Sequence, residues 1–348
     1  MYSFLNLFLL REGMLAVQVP LKEAEKVKQF LMKKGLLDKE YSVAKQPPFL
    51  LFPVLKRFKS KYSFVQVQLR ARSVKTQDLK TSLKAELSKK ELTQVKSSLD
   101  VIGDIAIIEV PKELQKRAKL IAGHLLQSRP SIKTVLQKGK HEGELRVQKL
   151  IFLAGDDKRE TIHKENNVRI KVNVETVYFS PRLSEERKRI AEQIKPGEKV
   201  LVMFSGCGIY PVVFAKNSEA KEIIGVELNT DGHQHALENL KLNKITNVRF
   251  YQGDVSKVLP TLNEVFDRIL MPLPKSADQF LSLAFSVVSK GAVLHFYSFE
   301  KEGALSLAKD KVRAAAKKAV RPCRILRQVK CGQVGQRLYR VCTEAKII

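Results

Sequence analysis

Hydrophobic positions fall into two textures along the chain. At 14–20 (MLAVQVP) they predict a short strand. Over 21–36 (LKEAEKVKQFLMKKGL) they recur at helical spacing and stop at Gly35. A returning strand at 49–55 (FLLFPVL) completes a small α+β unit. Next come a charged helix around 77–99, a strand over 100–110 (DVIGDIAIIEV) and a helix opened by Pro111 that runs to about Ser128. Strands at 133–137, 146–153 and 168–179 (VRIKVNVETVYF) make this a second α+β domain.

From about residue 184 helix and strand alternate. A helix at 184–194 leads to a strand at 198–204 (EKVLVMF), a Ser-Gly-Cys-Gly turn and a further helix. Strands follow at 222–227 (EIIGVE), 247–251, 266–271 and 291–297, with helices at 232–243 and 276–289. Repeated βα units imply an α/β fold with a doubly wound, mostly parallel sheet and helices on both faces. The expected domains are 1–72, 73–170 and 171–348.

Charge changes this picture. The chain carries 63 Lys and Arg against 36 Asp and Glu, a formal net charge of +27 and a pI near 9.9. Such an excess points to a polyanionic partner, nucleic acid being the commonest, although a Lys-rich surface also serves solubility. Lys56–Lys96 holds 12 basic and three acidic residues, and the basic tail Lys311–Arg340 holds ten basic residues and no acid. The first stretch reads equally as a linker with a solvated helix face and as a surface that follows a phosphate backbone. Four cysteines without CxxC spacing suit a reducing, cytoplasmic setting. No stretch approaches the roughly 18 apolar residues of a membrane span. The apolar opening MYSFLNLFLL lacks the basic n-region and cleavage site of a signal peptide. Residues 1–13 precede the first clean strand pattern and read as an extension or a misplaced start.

Candidate chemistry sits at three successive strand ends. Gly206-Cys207-Gly208 lets the backbone turn tightly beside a ligand. Glu227, about 20 residues on, can accept hydrogen bonds from both hydroxyls of a ribose. Asp254, about 27 residues further, can receive an adenine amine. Each alone is an ordinary loop residue; in this order they point to a nucleoside-type cofactor. Pro211 stands where a nicotinamide fingerprint needs its third glycine, which favours S-adenosylmethionine, a cofactor with no pyrophosphate to cradle. Cys207 reads as a small loop residue. His233 and His235 are two apart on a predicted helix and share no face, so no metal site is expected.

The stretches VYFSPRLSEERKRI (177–190), MFSGCGIYP (203–211), GVELN (225–229), ENLKLNK (238–244), GDV (253–255) and DRILMPLPKSA (267–277) resemble the archaeal and eukaryotic type of tRNA (guanine(37)-N1)-methyltransferase. MLAVQVPLKEAE (14–25), DVIGDIAIIEVPKEL (100–114) and EGELR (142–146) resemble its three-domain archaeal form. The resemblance covers nearly the whole chain. It implies a Rossmann-like class I methyltransferase domain preceded by two smaller α+β domains, with S-adenosylmethionine as cofactor and tRNA as partner, in a monomer.

Residue by residue, the resemblance implies Glu186 as the base that removes the N1 proton of guanine and Arg146 as the cation that stabilises the resulting charge. It implies Arg187 on the methionine carboxylate, and Phe204, Ser205, Gly206, Gly208, Glu227, Leu228, Asp254 and Val255 around the cofactor. Arg182, Pro274 and Lys275 fall on the substrate side. The departure is Met271-Pro272-Leu273-Pro274. Pro272 stands where many members carry the Asn of their Asn-Leu-Pro, and it leaves only backbone carbonyls as acceptors at a catalytic position. The chain therefore reads as a divergent subgroup. Two alternatives stay open: an aminocarboxypropyl transferase of the wybutosine pathway, and a tRNA-binding protein without catalysis.

Overall fold

The computed structural model describes residues 13–69, 79–96, 99–142 and 147–348. The chain divides into two compact units, one ending at Asp78 and the other running from Leu79 to Ile348. The boundary expected at 72/73 and the apolar segment 1–12 lie outside the described residues.

In the first unit, β1 (Met14–Pro20) precedes α1 (Ala24–Lys33), β2 (Ala44–Gln46), β3 (Phe49–Pro53) and β4 (Phe64–Val67). The sheet order is β2-β3-β1-β4, antiparallel at each pairing. Val27 and Leu31 of α1 are buried against Val17, Val19 and Phe52, so the apolar stripe read in the sequence is the face that covers the sheet.

The second unit opens with α2 (Leu79–Ser82) and α3 (Lys89–Gln94), two short helices where one charged helix was expected. There follow β5 (Leu99–Ile102), β6 (Ile105–Ile108), α4 (Ala118–Ser128), β7 (Thr134–Glu142) and β8 (Val147–Gly155), in a sheet of order β5-β6-β7-β8. The expected strand 100–110 is thus a hairpin. Gly103 turns it with φ +57°, where a Cβ would fall 2.1 Å from the Thr161 hydroxyl. The expected strand 168–179 ends early as well. β9 (Glu160–Glu165) and β10 (Val168–Asn173) form a hairpin through Asn166 and Asn167, both at positive φ. The Asn173 side chain then accepts from the Glu175 and Thr176 N–H groups and turns the chain out of the sheet. The boundary expected at 170/171 falls inside β10, whose Ile170 and Val172 share a core with Val200 and Val202.

After α5 (Ser184–Ala191) come β11 (Lys199–Met203), α6 (Ile209–Asn217), β12 (Glu222–Glu227), α7 (Thr230–Asn243), β13 (Val248–Gln252), α8 (Val255–Leu262), β14 (Phe266–Met271), α9 (Leu281–Ser286) and β15 (Val288–Lys301). The chain ends with α10 (Ser306–Lys318), β16 (Cys323–Gly335) and β17 (Leu338–Ile347). The seven strands run in the order β13-β12-β11-β14-β15-β17-β16. The first five are parallel, as the βα alternation requires; β17 is antiparallel to both neighbours. The basic segment 311–340 is therefore a helix and a hairpin built into the sheet. Two hydrophobic cores cover the two faces. The strand order reverses between β11 and β14, which is where a doubly wound sheet opens a crevice.

The ENLKLNK stretch has a structural task. Asn239 and Asn243 lie one turn apart on α7. The Asn239 amide donates to the Lys171 and Cys207 carbonyls at 2.9 and 3.0 Å, and its oxygen accepts from the Lys171 N–H at 2.7 Å. Asn243 repeats this on Arg169, at 2.6 and 2.8 Å. Together they satisfy one edge of β10 and join the β9–β10 hairpin to the large sheet. Asn239→Leu strands three buried backbone groups and should lower stability by about 3 kcal/mol. Lys241→Ala, at an exposed position of the same helix, should change it by less than about 0.5 kcal/mol. Chemical denaturation of the two variants checks this.

Candidate active site

The carboxyl ends of β11, β12, β13 and β14 open on one cleft of about 620 Å³, closed on the far side by Tyr297 of β15 and Arg340 of β17. Its floor is the loop after β11. Phe204, Gly206 and Gly208 there have φ of 61°, 57° and 77°. At Gly208 a Cβ would lie 2.6 Å from the Phe250 ring and 3.0 Å from Ala236, so close packing as well as backbone conformation demands glycine. The Gly206 N–H donates to Glu227 at 2.6 Å, and the Asn229 N–H donates to the other carboxylate oxygen at 2.8 Å. Burial raises the Glu227 carboxyl above its ordinary value against the pull of these two N–H groups. The same carboxylate thus shapes the loop and lines the cleft.

Phe204 meets the edge of Phe280 at 5.0 Å and forms an aromatic wall. Asp254 caps α8, accepting from the Ser256 N–H and hydroxyl, each at 2.7 Å; these bonds hold its carboxyl below the ordinary value. Both bonds fall on one oxygen, Oδ1. Ser205, Leu228, Val255, Pro272 and Lys275 also line the cleft. Gly208 stands behind it, and Pro274 is buried beside it. The Cys207 thiol is buried and pushed up to about 12, an inert group.

Three expectations need correction. Arg187 lines the cleft, but its fork is already taken. Nε and Nη2 donate to the two oxygens of Glu165, each at 2.6 Å, and Nη2 also donates to the Ser180 carbonyl at 3.1 Å. Burial alone would raise Glu165; hydrogen bonds from His163 and Arg187 outweigh it and hold that carboxyl at about 2. A bidentate grip by Arg187 on a ligand carboxylate is therefore unavailable without releasing Glu165. Glu186 does not line the cleft. Arg189 donates to it through Nε and Nη2, each at 2.7 Å, and the Tyr297 hydroxyl donates at 2.6 Å. Tyr297 stands between Glu186 and the cleft. Finally, Arg182 pairs with Asp100 at 2.6 Å and borders a neighbouring cavity. Arg146 lies outside the described residues.

Comparison with known proteins accords with this geometry. Residues 161–326 match the family described as TRM5/TYW2 methyltransferase domain, residues 79–158 the TYW2 N-terminal domain, and residues 16–62 the tRNA methyltransferase 5 N-terminal domain. The tRNA (guanine(37)-N(1))-methyltransferase Trm5b of Pyrococcus abyssi is 39% identical over 291 residues, 83% of this chain and 85% of that one. The chain belongs to the archaeal and eukaryotic tRNA (guanine(37)-N1)-methyltransferase family. The crystal structure of wild-type Trm5b from Pyrococcus abyssi superposes with a TM-score of 0.73 at 35% identity, over 96% of this chain and 99% of that one. A structure described as the complex of aTrm5 and tRNALeu superposes with a TM-score of 0.69 at 27% identity, over 96% and 100%.

In this member of the family, sequence reasoning missed Tyr178, Tyr210, Tyr297, Asn229 and Arg340 in the cleft wall, and Glu165 behind it. Tyr178 adjoins the FSPR stretch and was within reach of a motif reading. Tyr297 and Arg340 sit on strands with no local signature.

The Glu165–Arg187 pair generates a pH prediction. A carboxyl held at about 2 in the fold, against an ordinary 4.5, stabilises the fold above pH 4.5 and loses that contribution as pH falls toward 2. Glu165→Gln leaves a buried guanidinium without its carboxylate. It should cost about 3 kcal/mol at pH 7, with the gap to the parent narrowing between pH 4.5 and 2. Denaturation curves of parent and variant across that window measure the gap.

Proposed function

We propose that the chain transfers the methyl group of S-adenosylmethionine to N1 of the guanosine on the 3′ side of a tRNA anticodon. The observation that carries this reading is the cleft across the β11/β14 reversal. It sets a glycine loop and Glu227 on one side and Pro272, Tyr297 and Arg340 on the other, in a chain of this family. Among the described residues, Ser205 Oγ, Tyr210 Oη and Arg340 Nε are buried in the cleft without protein partners. A ligand with both donors and acceptors fits them.

Glu227 would hold the ribose hydroxyls, Asp254 and Val255 the adenine end, and Phe204, Ser205, Gly206 and Leu228 the walls between. S-adenosylmethionine supplies an electrophilic methyl group on a sulfonium and needs no metal to activate it. The work left to the chain is positioning and removal of one proton. Guanine N1 carries that proton and is a poor nucleophile until it leaves. Glu186 takes it through Tyr297 in this reading: the Tyr297 hydroxyl accepts the N1 proton as its own proton passes to the carboxylate 2.6 Å behind it. Positive charge is left where Arg189 already balances Glu186. At Pro272 the backbone carbonyl accepts from no group among the described residues, while Met271 and Leu273 carbonyls are used in the following turn. It is the acceptor this chain offers to a base edge in place of the Asn found in many relatives. Pro274 and Lys275 are assigned to the tRNA side of the cleft.

The runner-up is aminocarboxypropyl transfer, since residues 79–158 match the TYW2 N-terminal domain. The match of 16–62 to the tRNA methyltransferase 5 N-terminal domain favours methyl transfer.

Unmodified tRNA with guanosine 3′ of the anticodon, incubated with the protein and S-adenosylmethionine and digested to nucleosides, should yield 1-methylguanosine by mass spectrometry. An aminocarboxypropyl adduct on a wybutosine precursor would move the chain to the sister activity. No change on either substrate with cofactor bound would leave a tRNA-binding protein. Glu186→Gln should lower single-turnover methylation roughly 10²-fold, with cofactor affinity retained. Tyr297→Phe should fall with it; a Tyr297→Phe variant at parental rate would remove the relay.

A further inference from the structure

Three arginines of the second unit are buried: Arg187, Arg268 and Arg340, at 1%, 2% and 7% exposure. Arg187 has Glu165, and Arg268 has Glu198 at 2.7 and 3.0 Å. Arg340 has no carboxylate within 4.0 Å among the described residues; the one hydrogen bond of its side chain there is from Nη2 to the Tyr178 hydroxyl at 2.8 Å. Nε is buried without a partner. The guanidinium lies 5.5 Å from the centre of the Phe299 ring, the residue opposite it on β15. A buried cation without a counter-charge is costly unless a ligand supplies one.

The location says what kind of ligand. Arg340 lines the cofactor cleft and also a second cavity of about 260 Å³ beside it. That second cavity carries Lys138, Gln148, Gln333 and the Arg182–Asp100 pair, lies between the β5–β8 sheet and the large sheet, and shares with the cleft a wall that includes Tyr178 and Phe179. Opposite Arg340 on β16 stands Gly332, where a Cβ would meet nothing within 4 Å, so the space at that position is open. Across the sheet, Arg340 on β17 is separated from Glu227 on β12 by β11, β14 and β15. It therefore stands at the end of the cleft away from the ribose site.

We infer that Arg340 is a substrate-binding residue that holds an oxyanion of the target nucleotide where the second cavity adjoins the cofactor cleft. This rests on the proposed methyl transfer. Two parts of a nucleotide offer the chemistry. One is the base carbonyl, onto which charge moves when N1 loses its proton; the other is an adjoining phosphate.

The test uses the full chain, tRNA transcript with guanosine 3′ of the anticodon, and Arg340→Gln and Arg340→Lys. Parental methylation is measured first: if the parent does not methylate, the functional reading fails and Arg340 is not at issue. With an active parent, a grip on the base carbonyl lowers the single-turnover rate of Arg340→Gln on the order of 10²-fold. The pH–rate profile then moves to higher pH, and tRNA affinity is unchanged. A grip on a phosphate weakens tRNA binding about tenfold and reduces the salt slope by roughly one, with the saturated rate unchanged. In either case Arg340→Lys, which keeps the charge and loses the fork, recovers only part of the loss. Weaker binding of S-adenosylmethionine with the saturated rate unchanged would assign Arg340 to the cofactor carboxylate and overturn the inference. So would lowered thermal stability with rate, pH profile and tRNA binding all unmoved.

Discussion

A guanidinium drawn out of water needs a carboxylate or a ligand anion beside it, and the catalytic face of this protein is assembled around that requirement. Arg187 of α5 reaches Glu165 at the tip of the β9–β10 hairpin. Arg189, on the same helix, divides its donors between Glu186 and Glu344 of β17, and Arg327 of β16 closes on the other oxygen of Glu344 at 2.8 Å. Arg268 of β14 grips Glu198 and the Gln193 carbonyl ahead of β11 and donates to His295 on β15. The Arg187–Glu165, Arg189–Glu344 and Arg268–Glu198 pairs join separate elements of the fold. Removing either partner of the buried Arg187–Glu165 or Arg268–Glu198 pair leaves an uncompensated charge in low dielectric, so these joints define one arrangement rather than merely adding stability. The side chains that face the cleft are placed by what stands behind them.

The same logic explains why His295, Cys342 and Glu344, whose ligand atoms lie within 4.8 Å of one another, read as a charge network rather than a metal centre. Burial alone would raise the Glu344 carboxyl, but His295, Arg189 and Arg327 hold it well below the ordinary range. Burial holds the Cys342 thiol well above its ordinary value. His295 accepts from Arg268 through Nε2 at 2.7 Å, which leaves its proton on Nδ1 toward Glu344. A dication there would meet two guanidinium groups already bound to its best ligand.

Much of this was legible in the chain. Regular βα alternation gave the parallel strands, because a buried parallel strand is a continuous apolar run bounded by turns. The glycine loop, Glu227 and Asp254 were readable because each follows its strand directly. What escaped was the chemistry that depends on pairing across the sheet. Glu165 lies 22 residues before Arg187 in a hairpin read as part of no site. Gly103 sits inside an apolar run and hides a turn. The basic density of 311–340 masked a helix and a strand pair, because β16 is exposed along much of its length and carries Arg324, Arg327 and Lys330 there, while β17 buries nearly everything after Tyr339. Motifs placed Arg187 and Glu186 in the right neighbourhood; only the fold shows that one is held by Glu165 and the other screened by Tyr297.

The antiparallel addition to the sheet therefore does more than extend it. The parallel half supplies backbone turns and carboxylates suited to a neutral, hydroxyl-rich ligand. β15 and the added β17 supply Tyr297, Glu344 and Arg340, the groups that can move a proton or meet an anion. An all-parallel sheet would put a strand's carboxyl end at the cleft everywhere. Because β17 runs the other way, its amino-terminal residues reach the cleft instead, and Arg340, three residues into the strand, arrives opposite Phe299 at its mouth. Reversing one strand thus places a cation from the most basic part of the chain beside the cofactor cleft, with the rest of that segment left on the surface to face a polyanion.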